Sequence, residues 1–435
     1  MKAFKFIHAA DLHLDSPFVG LERLPEAVRR RIRESTFRAL DRLVGIAIEE
    51  RADAVVIAGD VYDAADRSLR AQLKFQRALE TLSERNIPVY ISHGNHDPLD
   101  GARASLDMPP GVHVFGGAEA ECVPVEGGRR GTLAWVHGQS FSTRAVTDNL
   151  AAGFARRRSD LFQIGLLHAN VDGDPEHDNY APCRLRDLEA SGIDYWALGH
   201  VHARRVLSEA PYVVYPGNLQ GRSIRETGAK GCYAVEVADS GRASLRFRPA
   251  DQVRWRSAPV DLTAVRTAQE LKSAMEREVE AARRESDGRA CVVRFRLKGR
   301  SPLYRELSAS GGALQELLAE IREREALRAA DDEYAFVWPS GAVLEASGMP
   351  VDPEAWRGQE GLLGEIVAAA DRLAADPKAA EEWARRTLAA LLDGKAAVWL
   401  RESDKDVARW LLEARELAVA AAWEQLEREG RGDAD

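Results

Sequence analysis

The sequence predicts an α/β chain: a layered N-terminal portion, then a small α+β module, then a helical tail. Three observations carry that expectation. Short apolar runs alternate with helical patterns over residues 1–250, as in sheets covered by helices. All ten histidines fall between His8 and His202, so metal or acid–base chemistry belongs to that portion. From Asp352 onward the chain is Ala-rich, with apolar residues at helical spacing.

Taken in order, the apolar runs predict strands at Phe4–Ala9, Ala54–Ala58, Pro88–Ser92, Thr132–Val136, Gln163–His168, Tyr195–Leu198, Tyr212–Tyr215 and Cys232–Val237. Between the first two, Val28, Ile32, Thr36, Leu40, Val44 and Ile48 recur every fourth residue and predict a helix. The module, residues 257–339, reads as helix Glu270–Arg284, strand Cys291–Leu297, helix Ala313–Arg324 and strand Tyr334–Trp338. In the tail, residues 352–435, Asp376-Pro377 is an N-cap followed by proline at the first helical position, and Asp393-Gly394 closes that helix. Ser403 and Asp406 open a last helix with an apolar stripe at Val407, Trp410, Leu411, Ala414, Leu417 and Ala421.

Composition narrows the function. The chain has 435 residues, 45% hydrophobic and 30% charged, which is ordinary for a globular protein of two or three domains. No apolar run approaches the ~20 residues of a membrane span, and Lys2, Lys5 and His8 interrupt the N-terminus, so a cytoplasmic location is expected. Four scattered cysteines form no C-x-x-C pair, which excludes a zinc ribbon. A net charge of −9 excludes a bulk-basic nucleic-acid binder, so phosphate contact must come from a local patch or from metal ions.

Five predicted strands end in polar clusters: Asp11-Leu12-His13, Gly59-Asp60, Gly94-Asn95-His96-Asp97, His168 and Gly199-His200-Val201-His202. Ligand sites of α/β sheets form at strand carboxyl ends, so these clusters converge. Asp11, His13, Asp60, Asn95, His168, His200 and His202 offer four imidazoles, two carboxylates and one carboxamide, enough for two metals sharing a carboxylate. Mixed nitrogen and oxygen donors suit Mn²⁺, Fe²⁺ or Zn²⁺ better than Ca²⁺ or Mg²⁺. His200 and His202 can serve one site only if the chain leaves its strand there, because alternate strand residues face opposite sides.

The ordered series Asp11-x-His13, Gly59-Asp60-x-x-Asp63, Gly94-Asn95-His96-Asp97, His168 and Gly199-His200-x-His202 resembles the calcineurin-like metallophosphoesterases. Within them, Asp11–Phe18 and Tyr215-Pro216-Gly217-Asn218 resemble SbcD-type DNA repair exonucleases of the YhaO-like branch. The resemblance implies a β-sandwich flanked by helices for residues 1–250 and a capping domain for residues 257–339. It further implies one metal on Asp11, His13, Asp60 and His202 and a second on Asp60, Asn95, His168 and His200. These would be two divalent ions, Mn²⁺ first, with Mg²⁺, Fe²⁺ or Zn²⁺ as alternatives. His96 would sit beside the scissile phosphate, and Asp97 would fix its tautomer. Two such ions lower the pKa of a shared water and neutralise the phosphoryl oxygens.

Arg222, Arg225 and Lys230, close in sequence to His200 and His202, are the candidate DNA-phosphate contacts. Asp63 stays outside the ligand list, His177 is expected to line the cleft, and His8 and His113 read as strand or turn residues. There is no P-loop and no nucleophile elbow. The leading reading is a metal-dependent DNA phosphodiesterase, an exonuclease and also a candidate endonuclease, acting in repair. The alternatives are a small-substrate phosphatase or cyclic-nucleotide phosphodiesterase, and a scaffold protein with an inactive site. By the resemblance its partners are DNA, an SbcC-type ATPase with a coiled coil and a second copy of the chain. The acidic tail, with 18 acids against 12 bases from Pro353 onward, would dock the ATPase rather than DNA.

Overall fold

The computed structural model describes residues 1–18, 24–63, 68–101, 106–299, 301, 303–304, 307, 312–332, 336–345, 353–387 and 407–432. In chain order the strands are β1 (Phe4–Ala10), β2 (Ala54–Ala58), β3 (Val89–Ser92), β4 (Val112–Val114), β5 (Glu121–Glu126), β6 (Thr132–Gly138), β7 (Phe162–His168) and β8 (Tyr195–Gly199). They continue as β9 (Arg205–Glu209), β10 (Tyr212–Tyr215), β11 (Gly231–Val237), β12 (Ala243–Pro249), β13 (Val253–Asp261), β14 (Ala290–Lys298) and β15 (Val337–Leu344). The helices are α1 (Glu26–Glu49), α2 (Leu69–Glu84), α3 (Leu185–Ala190), α4 (Ala268–Glu285), α5 (Gly312–Asp331), α6 (Leu362–Ala375), α7 (Pro377–Thr387) and α8 (Val407–Gly432).

Two compact units divide the chain. One comprises Met1–Ala258, Val279–Arg294 and Ala319–Gly341; the other comprises Pro259–Glu278, Phe295–Leu318 and Ala342–Asp435.

In the first unit, two six-stranded sheets run in the orders β12-β11-β1-β2-β3-β4 and β5-β6-β7-β8-β10-β9. Strand alternation sorts β1 between two cores: Phe4, Phe6 and Ala10 join Val56, Ala58, Val136, Ile164 and Tyr195, whereas Ile7 and Ala9 join Leu40 and Leu43 of α1 and Phe75 and Leu79 of α2. A third cluster, including Leu167, Trp196, Leu198, Phe154 and Leu188, covers the other face of the second sheet. The result is the sandwich flanked by helices that the sequence led us to expect. Strands β1, β2 and β3 are mutually parallel, as are β6, β7 and β8, so their carboxyl ends carry the polar clusters together.

The strands β13, β14 and β15 form a third sheet, and their N-terminal portions lie in the first unit. There Val253, Trp255, Ala290, Val292, Phe336 and Trp338 pack with Leu24, Val28 and Ile32.

In the second unit, Leu363 and Val367 of α6 pack on Val419 of α8, with Trp356 and Trp423 rings 5.4 Å apart. Asp376 Oδ1 accepts from Lys378 N and Ala379 N at 3.0 and 3.2 Å, the expected N-cap of α7. The apolar stripe expected along α8 is not one face: Leu411 is buried, Ala414 and Ala421 are exposed, and Leu417 is 63% exposed. The side chain of Val407, together with Tyr334, Asp393-Gly394, Trp399 and the Ser403–Asp406 cap, lies outside the described residues.

Several elements escaped the sequence reading. Strands β5, β9 and β12 lie at sheet edges, half-exposed and rich in charge, and so lack the unbroken apolar runs of β2 or β7. Among the described residues no helix is long and apolar enough to cross a membrane.

Ile57 sits in β2 and is 1% exposed. Ile57→Ala is therefore expected to cost about 2–5 kcal/mol. The check is the urea midpoint of the transition that carries the two sheets, and an unchanged midpoint would place Ile57 outside the core.

Candidate metal centre

The site begins with strained backbone at strand ends. Asp11, His13, Asp60 and His200 have φ of 50°, 43°, 49° and 101°, in the left-handed region that side-chain-bearing residues seldom occupy. Hydrogen bonds between the loops hold these turns: Asp11 N donates to Gly59 O at 3.2 Å and His13 N to Asp60 O at 3.0 Å. β8 stops at Gly199, so His200 and His202 lie beyond the strand, and both rings stand near that of His177, at 5.4 and 5.2 Å.

Two glycines make room for His168. A Cβ on Gly59 would lie 2.1 Å from His168 Nδ1, and one on Gly94 would lie 2.4 Å from Asp60 Oδ1 and 2.8 Å from the His168 ring. With that space His168 Nε2 stands 3.4 Å from Asp60 Oδ2 and 3.1 Å from Asn95 Oδ1. His13 Nε2 lies 3.8 Å from the same Asp60 oxygen and 3.2 Å from His202 Nε2. Asp60 thus stands between two groups of donors.

Hydrogen bonds on the outer side set which imidazole nitrogen faces inward. His168 Nδ1 donates to Ala58 O (3.2 Å), His200 Nε2 to Asp178 O (2.7 Å) and His202 Nδ1 to Glu226 Oε1 (2.9 Å). In the neutral ring the opposite nitrogen is the one that would present a lone pair to a cation, whereas in protonated His168 Nε2 faces the acceptors Asp60 Oδ2 and Asn95 Oδ1. The rings of His168 and His200 are 5.1 Å apart, as are those of His13 and His202. His13 Nδ1, fully buried, has no hydrogen-bond partner among the described residues.

The electrostatics favour a cation. Asp11 and Asp60 are buried carboxylates, and burial pushes the Asp11 pKa up. Burial also opposes ionisation of Asp60, but the charge and hydrogen bond of His168 outweigh it and hold Asp60 well below the usual carboxylate range. Burial would lower the pKa of His168, yet Asp60 and then Asp11 raise it to about 9. The carboxylates draw positive charge inward, which a proton on His168 or a divalent cation can supply. Three sets, Asp11/His13/His202, Asp11/Asp60/His168 and His13/Asp63/His96, each bring their donor atoms within 4.8 Å of one another. The donor chemistry therefore fits divalent metal.

Residues 4–204 match the calcineurin-like phosphoesterase family, and residues 255–344 match the middle domain of metallophosphoesterase YhaO. The chain is 43% identical over 340 residues to the uncharacterized metallophosphoesterase YhaO of Bacillus subtilis (strain 168), covering 77% of this chain and 80% of that protein. The chain belongs to the calcineurin-like metallophosphoesterase family. It is also 30% identical to the DNA double-strand break repair protein Mre11 of Aeropyrum pernix, over 52% of this chain and 56% of that one. To the SbcD component of the nuclease SbcCD of Bacillus subtilis it is 26% identical, over 58% of this chain and 72% of the relative.

All seven candidate ligands of this metallophosphoesterase converge, and His96 stands at their rim with its ring 5.0 Å from that of His13. Asp97 does not serve His96. It accepts from His93 Nδ1 (2.8 Å), Val61 N (2.9 Å) and Gly94 N (2.9 Å), tying the loops after β2 and β3 together. The carboxylate at His96 is Asp63, whose Oδ1 lies 3.0 Å from His96 Nδ1. Burial lowers the His96 pKa, but the Asp63 hydrogen bond and the charges of Asp60 and Asp63 outweigh it and the net shift is upward. The spacing Gly59-Asp60-x-x-Asp63 was the available signal for this pair.

Of the three expected DNA contacts, Arg225 is exposed on the wall of a cavity of about 1060 Å³ that His177, His202, Arg204 and Lys230 also line. Arg222 is engaged internally with Glu226, Asp63 and Ser16, and the buried Lys230 donates to His202 O at 2.7 Å. Both cations are thus already engaged by acidic, hydroxyl or carbonyl partners of the protein itself. Elsewhere Arg130 pairs with Asp53, Arg156 with Asp194 and Arg205 with Asp174.

Gly59→Ala is expected to displace His168 and to weaken Mn²⁺ binding by at least about tenfold, the scale of a disturbed ligand shell. Calorimetric titration of Mn²⁺ into chelator-stripped protein checks this, and wild-type affinity would show that the ring has room elsewhere.

Proposed function

We propose that this chain is a metal-dependent phosphodiesterase acting on DNA. The observation that carries the reading is the convergence of seven nitrogen and oxygen donors beneath His96, an imidazole oriented by Asp63 and 32% exposed at the rim. Asp11, His13, Asp60 and His202 would hold one divalent ion, and Asp60, Asn95, His168 and His200 the other, with Mn²⁺ the ion that the donor set favours. When bound, the ions would supply Lewis-acid stabilisation of the phosphoryl oxygens and a water of lowered pKa.

The protein's own groups do the remainder. Asp63 accepts a hydrogen bond from His96 Nδ1 and, with Asp60, favours the protonated ring, whose Nε2–H would then donate at the leaving oxygen, a contribution of ~10²–10⁴-fold. Asp97 keeps the two loops in register through its bonds to Val61 N and Gly94 N. Arg204, stacked on Phe247, and Arg225 give the cavity cationic edges suited to a phosphodiester backbone. Relatives named for DNA double-strand break repair and as part of a nuclease support a polymer substrate.

We further propose that α8 docks an SbcC-type ATPase. The helix buries Leu411 and Val419 within its own unit yet leaves Leu412, Leu417 and Leu426 exposed at 40%, 63% and 43%. The SbcD relative is, by its name, one part of a larger nuclease.

Three measurements test these proposals. End-labelled DNA should be cut with Mn²⁺ and spared in excess chelator; robust cleavage in chelator, or cleavage of a chromogenic ester alone, removes the nuclease reading. His96→Asn should keep both ions and DNA affinity while kcat falls ~10²-fold or more, whereas His200→Ala loses metal. Loss of the same ion from both variants would make His96 a ligand instead. Leu417→Asp with Leu426→Asp should leave folding and cleavage of short DNA intact and abolish capture of a co-expressed SbcC-type ATPase; retained capture places docking elsewhere.

A further inference from the structure

The loop after β10 holds His202 from two sides. Its ring nitrogen Nδ1 meets Glu226 Oε1 at 2.9 Å, and its backbone carbonyl accepts from Lys230 Nζ at 2.7 Å. His168 and His200 use neutral backbone carbonyls for the equivalent outer bond, whereas His202 has a carboxylate.

Glu226 is itself held at several points. Oε2 accepts from Arg222 N at 2.6 Å and Asn218 Nδ2 at 3.0 Å, and Oε1 accepts from Arg222 Nη2 at 3.2 Å. Arg222 then reaches across the site: Nη1 lies 3.2 Å from Ser16 Oγ and 3.4 Å from Asp63 Oδ2, the carboxylate that orients His96. Both side chains are largely buried, so the guanidinium bridges two carboxylates with little solvent screening.

We propose that Glu226, braced by Arg222, is a positioning residue for His202, fixing its ring orientation so that Nε2 faces Asp11 and His13. The inference rests on the metal reading above and names residues outside the ligand set. A carboxylate on the outer nitrogen of a ligating histidine fixes tautomer and ring orientation, and its loss costs about 10–100-fold in metal affinity. The distance between Arg222 and each carboxylate shows how one side chain supports the metal ligand and the proton donor together.

The test titrates Mn²⁺ calorimetrically into the full chain after chelator stripping, comparing wild type with Glu226→Gln, Glu226→Ala, His202→Ala and the double variant His202→Ala/Glu226→Ala. Glu226→Gln, which keeps the shape and loses the charge, should weaken one Mn²⁺ site about tenfold; Glu226→Ala should approach 100-fold, with the other site unchanged. In the His202→Ala background Glu226→Ala should add nothing, an outcome that a general structural role would not produce. Where Glu226→Ala does not fold, the glutamine variant carries the comparison. Affinities within twofold of wild type, or a further loss in the double variant, would overturn the inference and leave the metal reading standing. A wild-type chain that binds no Mn²⁺ would overturn both.

Discussion

The seat of His168 is the constraint on which the rest of the site depends. Its ring is fully buried at the end of β7, against the loops that follow β2 and β3, and it fits because Gly59 and Gly94 present no Cβ. Gly199 adds a third close approach, since a Cβ there would lie 1.6 Å from Ala58 O and 2.9 Å from His168 Nδ1. One imidazole thereby brings the carboxyl ends of both sheets into contact: Ala58 and Asp60 from the first, Gly199 beside it in the second. Parallel strands point the polar clusters in one direction, but the absence of three side chains lets the clusters touch. Backbone economy at these glycines is a requirement of the site rather than of the sheets, whose strands are otherwise rich in valine, isoleucine and leucine.

Around that seat the protein stores electrostatic and conformational strain. Two buried carboxylates cannot both stay ionised in an apolar surround without nearby positive charge. Here the compensation is distributed: His168 beside Asp60, the amide N–H of His200 to Asp11 at 3.0 and 3.1 Å, and that of His96 to Asp60 at 2.9 Å. Four left-handed residues surround the same point, each costing of order 1–3 kcal/mol. The packed sheets on either side over-determine those turns, which is why strain of this size is tolerated at the strand ends and not within the strands.

The sequence revealed the site more readily than its supports. That Asp11, His13, Asp60, Asn95, His168, His200 and His202 come together was legible because each stands at or just beyond the carboxyl end of a strand. The central strands were legible too, since β2 and β7 are buried on both faces and leave unbroken apolar runs. Edge strands such as β9, Arg-Val-Leu-Ser-Glu, carry no such run, because water rather than a core faces much of their surface. The partners that orient the imidazoles were the least legible. Asp97 adjoins His96 in sequence, yet backbone geometry turns it to His93 and brings Asp63, thirty-three residues away, to His96. Glu226 has no motif of its own; only the folded loop shows that it meets His202. Adjacency along the chain is a poor guide in such loops, where the partner is set by the fold rather than by the neighbour in sequence.

Local pairing decides where an acidic chain leaves cationic side chains exposed. A net charge of −9 repels polyphosphate at long range, but screening confines that repulsion to about 8–10 Å at physiological salt. Close to the site the sign is set locally. Arginines elsewhere are consumed by partners: Arg130 by Asp53, Arg156 by Asp194, Arg248 by Glu49 and Glu50. Near His202 the arrangement differs, since Arg204 lies 3.9 Å above the Phe247 ring and Arg225 stands exposed at the same cavity. An aromatic face orients a guanidinium without neutralising it, so the charge of Arg204 remains available. Arg222, by contrast, spends its charge between Glu226 and Asp63 and keeps two imidazoles in place. Arg222 and Arg225 of one loop thus divide the work, one holding the centre and one facing the cavity, and the division follows from which carboxylates the fold brings within reach of each.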